Sequence, residues 1–156
     1  MPALYKLPEA ARKALLDAPV EVNETTPFHR PAKPLAESVL TIVTTAGLHL
    51  HDDRPFVPAD PTFRLIPTGV RGDDLLQTHT SIGFDRTGVM ADVNVVFPID
   101  RLRELVAEGR IGSLGPTAYS FMGAQRDPTV IKTTTAPEVA DRLLHDGIEV
   151  VLLTPT

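Results

Sequence analysis

"TAPEVADRLLHDGIEVVLLTPT", Thr135 to Thr156, carries the strongest fold signal in the chain. Thr135 and Glu138 have the Thr-x-x-Glu spacing of a capping box, which predicts a helix start. Val139, Leu143 and Leu144 recur on one helical face, and Gly147 supplies the stop. Five of the six residues from Ile148 to Leu153 are aliphatic, which predicts a buried strand at the centre of a sheet. Helix, glycine stop and buried strand form the repeating step of an α/β fold with a parallel sheet.

Working back from that step, "IDRLRELVAEGRIG", Ile99 to Gly112, predicts a second helix. Asp100 is its expected N-cap, Leu102, Leu105 and Val106 its apolar face, and Gly109 its C-terminal stop. The run "ADVNVVFP" before it alternates as a strand entry would, ending at Pro98. "FRLIP" reads as a short extended piece and "TGVRGDD" as a turn. The first strand is expected within "SVLTIVTTAG", Ser38 to Gly47, which is rich in β-branched residues. Leu4, Leu7, Ala11, Ala14 and Leu15 have helical spacing, and Val20 to Pro34 reads as an extended linker. The expected class is therefore α/β, with a mainly parallel sheet flanked by helices. Residues 1–37 form an N-terminal helix and Pro-rich extension, and residues 38–156 form a single α/β domain.

Composition narrows the function classes. With 42% hydrophobic and 22% charged residues the chain is globular in character. A net charge of -5 lacks the basic footprint that nucleic acid requires, so no nucleic-acid partner is expected. No apolar run approaches the roughly 18 residues of a membrane helix, and the N-terminus has no signal-peptide h-region. A soluble cytoplasmic protein is the expectation. Cysteine is absent, which excludes disulfides and thiolate metal ligands.

Two polar clusters could carry chemistry. His49, His51, Asp52 and Asp53 follow the first strand, and the two histidines would share a face if the strand continued. That arrangement suits a metal or a general base, whereas a plain polar loop explains it equally. His79, Asp85, Asp92 and Asn94 form the second cluster. Asp85 and Asp92 also suit turns and caps, while Asn94 sits among three valines and must find partners if buried. Gly109, Gly112, Gly115 and Gly123 show no G-x-G-x-x-G spacing, so they read as turn glycines. His145 suits the C-terminal end of its helix, and His29 lies in the linker without evident purpose.

"VTTAGLHLHDDRPF", "FRLIP", the run from Thr78 to Gly123 and "DGIEVVLLT" together resemble the selenoprotein B family of glycine, sarcosine, betaine and D-proline reductases. The likeness is greatest to the D-proline branch of that family, in its small component, and is most specific in "DVNVVFPIDRLRELVAEGRIG", Asp92 to Gly112. It implies an oxidoreductase that cleaves a carbon–nitrogen bond with a selenocysteine or cysteine nucleophile, using a dithiol as electron donor. It also implies a small amine or amino-acid substrate and a homo-oligomer or a hetero-oligomer with another reductase subunit. No cofactor is expected in this chain. In the D-proline enzyme a pyruvoyl group on a partner subunit activates the amine.

By the same resemblance His49, His79, Asp85, Asp92 and Asn94 are the supporting site residues, and no metal site is expected. His79 or His49 would position or protonate the leaving amine, with Asp92 and Asn94 ordering the nearby loop. In the family the segment matching "DGIEVVLLTPT" runs directly into the nucleophile. The expectation is that these residues stop at a selenocysteine UGA codon after Thr156, leaving this chain alone inactive. Two other readings stand beside it: a non-catalytic binding or subunit-partner protein of the same fold, and metal-assisted hydrolysis by the His/Asp residues.

Overall fold

The computed structural model describes residues 4–17, 24–26, 28–81 and 83–155. The chain divides into two compact units, Met1–Arg30 and Pro31–Thr156. The first contains helix α1, Glu9–Leu16, as the N-terminal spacing predicts. None of the described helices is long and apolar enough to cross a membrane.

The second unit is built on a mixed, mainly parallel sheet. Its central strand is β1, Val39–Thr44, which is rich in β-branched residues that suit a pleated surface. Leu40 is the register partner of both Leu114 in β5 (Ser113–Leu114) and Val150 in β7 (Val150–Thr154). Thr44 is likewise the partner of Ser120 in β6 (Thr117–Phe121) and of Thr154 in β7. A strand residue has one neighbour on each side, so β5 and β6 run along one flank of β1 and β7 along the other. All three are parallel to β1. Strand β3, Phe63–Pro67, closes the far side antiparallel to β6. A separate two-stranded antiparallel sheet pairs β2, Leu48–Leu50, with β4, Leu75–Gln77.

Alternation along the strands divides the core between two faces. Leu40, Ile42, Ile66 and Ala118 join Phe97, Ile99, Leu102 and Ile111 on one face, against helix α3, Ile99–Ala107. Tyr119, Phe121 and Val139 pack with Val43, Phe63 and Leu143 on the other, under helix α4, Ala136–His145. Both predicted glycine stops form. Gly109 has φ +70 and Gly147 φ +67. Each is followed by a residue whose amide reaches back five positions, Arg110 to Leu105 and Ile148 to Leu143.

Several local expectations are corrected. "IEVVLLT" forms the strand β7, but at an edge: among the described strands it pairs only with β1. Its aliphatic run is half-exposed, with Leu153 66% exposed. "ADVNVVFP" contains no strand. Helix α2, Arg86–Ala91, and a 3-10 turn over Val93–Val95 occupy that region. Asp85 and Asp92 impose those turns by accepting from the amides of Thr87 and Asn94. The N-cap of α3 is Pro98, and the Asp100 amide donates to the Asn94 side chain. The Thr135 capping box does not form either. A π-helical turn, Ile131–Thr135, leads into α4, and the Thr135 hydroxyl donates to the carbonyl of Pro61 at 2.9 Å.

Candidate functional site

The parallel strands β1, β6 and β7 deliver their carboxyl ends to one edge of the sheet, the usual ligand edge of open α/β folds. Four contacts knit that edge together. The amide of Thr45 donates to the carbonyl of Thr154 at 3.2 Å, and the amide of Gly123 donates to the carbonyl of Thr45 at 2.9 Å. The buried Thr44 hydroxyl donates to the carbonyl of Val96 at 3.1 Å, and it accepts from the amide of Ala46 at 3.2 Å. The end of β7 is thereby tied to β1, to the loop after β6 and to the segment before α3.

His79 lies beside this edge. Gly47 has φ +65, and a Cβ there would come 3.1 Å from the His79 amide nitrogen, so the close approach requires glycine. The next residue, Thr80, contacts the Met122 sulfur at 3.7 Å, and Met122 bridges to Ala46. The His79 ring is 2% exposed and stacks on Phe84 with centroids 4.4 Å apart. Its Nδ1 accepts from the Ser81 amide, so in the neutral ring Nε2 carries the proton, and that atom is buried without a partner. Burial and the Arg86 guanidinium both hold its pKa below the ordinary value.

His49, on β2, is equally buried but has the opposite tautomer. Its Nδ1 lies 2.7 Å from the carbonyl of Leu50, which can only accept, so Nδ1 holds the proton and Nε2 is a bare, unpartnered acceptor. The two histidines are thus complementary, one offering a proton and one a lone pair. His51 does not share the His49 face: β2 ends at Leu50, and His51 is exposed in the following turn. Among the described residues, no three His, Asp or Glu side chains come together as a metal-binding group.

Asp85, Asp92 and Asn94 hold backbone and one another. Asp85 caps α2 and so fixes Arg86, whose guanidinium donates to the His79 carbonyl. Asn94 donates to Asp92 at 2.8 Å and to Asp100 at 2.9 Å, while its oxygen accepts the Asp100 amide. Its amide therefore finds the partners that its valine-rich setting demands. Hydrogen bonds from Thr87 and Asn94 keep the carboxyls of Asp85 and Asp92 below the usual carboxylate range. Asp92 and Asn94 line a polar cleft of about 680 Å³ together with Arg71, Arg86, Asp100 and Arg103.

Of the residues of the carboxyl edge, Thr44, Thr45 and Met122 were missed by sequence reasoning and Gly123 was read only as a turn glycine. Thr44 and Thr45 lie in the expected first strand, but no strand was expected over Thr117–Phe121, and none of the four is a titratable group.

Comparison with known proteins places this sequence in a family. The family model described as glycine/sarcosine/betaine reductase selenoprotein B (GRDB) matches residues 12–156. The chain is 37% identical over 123 residues to the D-proline reductase subunit gamma of Acetoanaerobium sticklandii, covering 78% of this chain and 50% of that protein. It is 30% identical over 142 residues to the sarcosine reductase complex component B subunit beta of Peptoclostridium acidaminophilum, covering 88% and 32%. A glycine reductase complex component B subunit gamma from Symbiobacterium thermophilum is 27% identical over 142 residues, covering 88% and 33%. The chain spans a third to a half of the length of these curated relatives. No solved structure matches it. With nearly its whole length accounted for by one family model, this chain belongs to the selenoprotein B family of the glycine, sarcosine and betaine reductases.

Proposed function

We propose that these residues form the scaffold of a cytoplasmic reductase subunit that cleaves a C–N bond in D-proline, glycine or a related small amine. The observation that supports it is the family match over residues 12–156, combined with the tying of β7's carboxyl end into the sheet edge beside His79. In the overall reaction a dithiol gives two electrons and two protons and becomes a disulfide. The C–N bond is replaced by one C–H and one N–H bond. The covalent step needs a thiolate or selenolate, and these 156 residues contain no cysteine. On this reading the nucleophile is carried outside these residues.

In this scheme His79 or His49 acts on the leaving amine, His79 through the proton on its unpartnered Nε2 and His49 by positioning the amine with the lone pair on its own. Asp85 acts through Arg86 on the His79 segment, and Asp92 and Asn94 order the loop before α3. The pyruvoyl group implied by the resemblance belongs to a partner subunit in a hetero-oligomer.

The test is dithiol-dependent turnover of D-proline and glycine. These residues together with a Sec- or Cys-bearing segment and the partner subunits are expected to be active. The 156 residues alone are expected to be inactive. Dithiol-dependent turnover by the 156 residues alone would overturn the scheme.

The open edge of β7 favours a second reading, a non-catalytic subunit partner. Leu153 on that edge strand is 66% exposed and Leu144 on α4 is 75% exposed, apolar side chains that a partner would cover. A sharp monomer on size-exclusion chromatography, unchanged by Leu153→Lys, would count against it.

A further inference from the structure

At the carboxyl ends of β1 and β6 lies a second cavity, of about 380 Å³, whose lining is almost wholly apolar. Val43, Phe121 and Met122 are among its walls, with Ile131 and Ala136 contributed by the π turn and the start of α4. None of the residues singled out by sequence reasoning as site candidates lines it.

Three independent features mark this cavity as built for a ligand. It sits on the carboxyl edge of the parallel strands. The loop that borders it holds Ala124 at φ +56, a left-handed conformation that costs a non-glycine residue energy and persists where the surroundings enforce it. Its helical wall contains the π turn, in which the Ala136 amide reaches back five residues to the Ile131 carbonyl. Such turns are rare and concentrate at functional sites. Thr45, which lines the cavity, donates its amide to Thr154 at the end of β7.

We propose that this cavity binds the hydrocarbon part of the substrate, the ring methylenes of a five-membered cyclic amino acid, while the amine faces the carboxyl end of β7. The assignment rests on the reductase function proposed above. The volume falls at the small end of the roughly 300–1,000 Å³ typical of ligand sites, which suits one small ring. An apolar wall gains only from burying C–H surface. Glycine has no carbon beyond the reacting carbon and its carboxylate, so it would leave the wall wet, and the methyls of sarcosine and betaine are on the nitrogen, which faces the end of β7. A pyrrolidine ring offers three methylenes to it.

Two measurements test this. The first titrates D-proline and, separately, glycine into the 156-residue chain carrying ¹³C-methyl labels on methionine and isoleucine. D-proline is expected to shift the Met122 and Ile131 methyl signals saturably, and glycine is expected to leave them in place. Equal shifts with both, or none with D-proline, overturn the proposal.

The second uses the complete reductase complex with Ala136→Phe, which fills the cavity from an exposed position, and Ile131→Ala, which widens it. Ala136→Phe is expected to raise KM for D-proline about tenfold or more, the scale of losing one or two methylene contacts, with kcat and the thermal midpoint near wild type. Ile131→Ala is expected to improve use of a six-membered ring analogue relative to D-proline. An unchanged KM in Ala136→Phe overturns the proposal. A wild-type complex that turns over no amine sinks the reductase function instead, and the methyl titration then still decides the cavity.

Discussion

The Thr45 amide donates to the Thr154 carbonyl at 3.2 Å, so the last backbone contact of β7 is made to the residue that follows β1. One residue earlier, the Thr44 hydroxyl reaches the carbonyl of Val96 at 3.1 Å and lies 3.4 Å from that of Thr154. Neighbouring residues at the end of one strand thus set where β7 releases the chain and how the loop before α3 faces it. Thr44→Val keeps the shape but leaves the Ala46 amide and the Val96 carbonyl without that partner. The expected cost is about 1–3 kcal/mol, measured by urea denaturation. In an active complex kcat should fall while KM changes little.

Asn94 staples the 3-10 turn to the start of α3 through Asp92, Asp100 and the Asp100 amide. Asn94→Ala removes that cap and should cost roughly 1–2 kcal/mol. Asn94→Asp should cost more, because a third carboxylate would face two others in place of an amide donor. If thermal denaturation ranked Asn94→Asp above Asn94→Ala, the staple role would be wrong.

The Asp60–Arg64 pair is the most buried ion pair among the described residues, at 3.0 Å with side chains 7% and 9% exposed. Burial pushes the Asp60 carboxyl up, but hydrogen bonds from Thr62 and the Arg64 guanidinium outweigh it and leave the pKa lowered. Arg64 also lies over the Phe56 ring at 4.2 Å. Asp60→Ala would strand a buried guanidinium and should cost about 3–5 kcal/mol. The double variant Asp60→Ala/Arg64→Met should recover much of that loss, a sign that chemical denaturation of the single and double variants can read directly.

His79 has a folded-state pKa below its ordinary value near 6.5, so on acidification protons bind the unfolded chain first. The stability contributed by the neutral ring is whole above about pH 6.5 and is lost as pH falls through the folded-state value. The thermal midpoint of the wild type should therefore drop more between pH 7.5 and pH 5 than that of His79→Gln. Equal drops in the two proteins would show that His79 titrates as it does in the unfolded chain.

How much of this was legible in the residues varies with the range of the interactions involved. Both glycine stops, the apolar face of α3, Val139 and Leu143 of α4, and β1 and β3 follow from contacts within a few positions, where spacing and φ preferences decide. Leu144, expected on the same face as Val139 and Leu143, is exposed. The run "ADVNVVFP" misled because alternating valines suit a strand, while the Asp85 and Asp92 side chains capture nearby amides and turn the backbone into helix. Thr135 misled in the opposite way. Its hydroxyl donates to the Pro61 carbonyl, 74 positions away, and the π turn before it puts Thr135 inside a helical run, where its oxygen accepts no capping amide.

The α/β class, the helix–glycine–strand step at the end of the chain and the family motifs were determined by the sequence alone. Only the tertiary structure decided that β7 is an edge strand, that His49 and His79 carry opposite tautomers, and that an apolar cavity adjoins the end of β7. Each of these depends on which distant backbone groups meet across the sheet. Composition and periodicity do not encode that pairing, because one aliphatic run serves equally well at a sheet's centre or its edge.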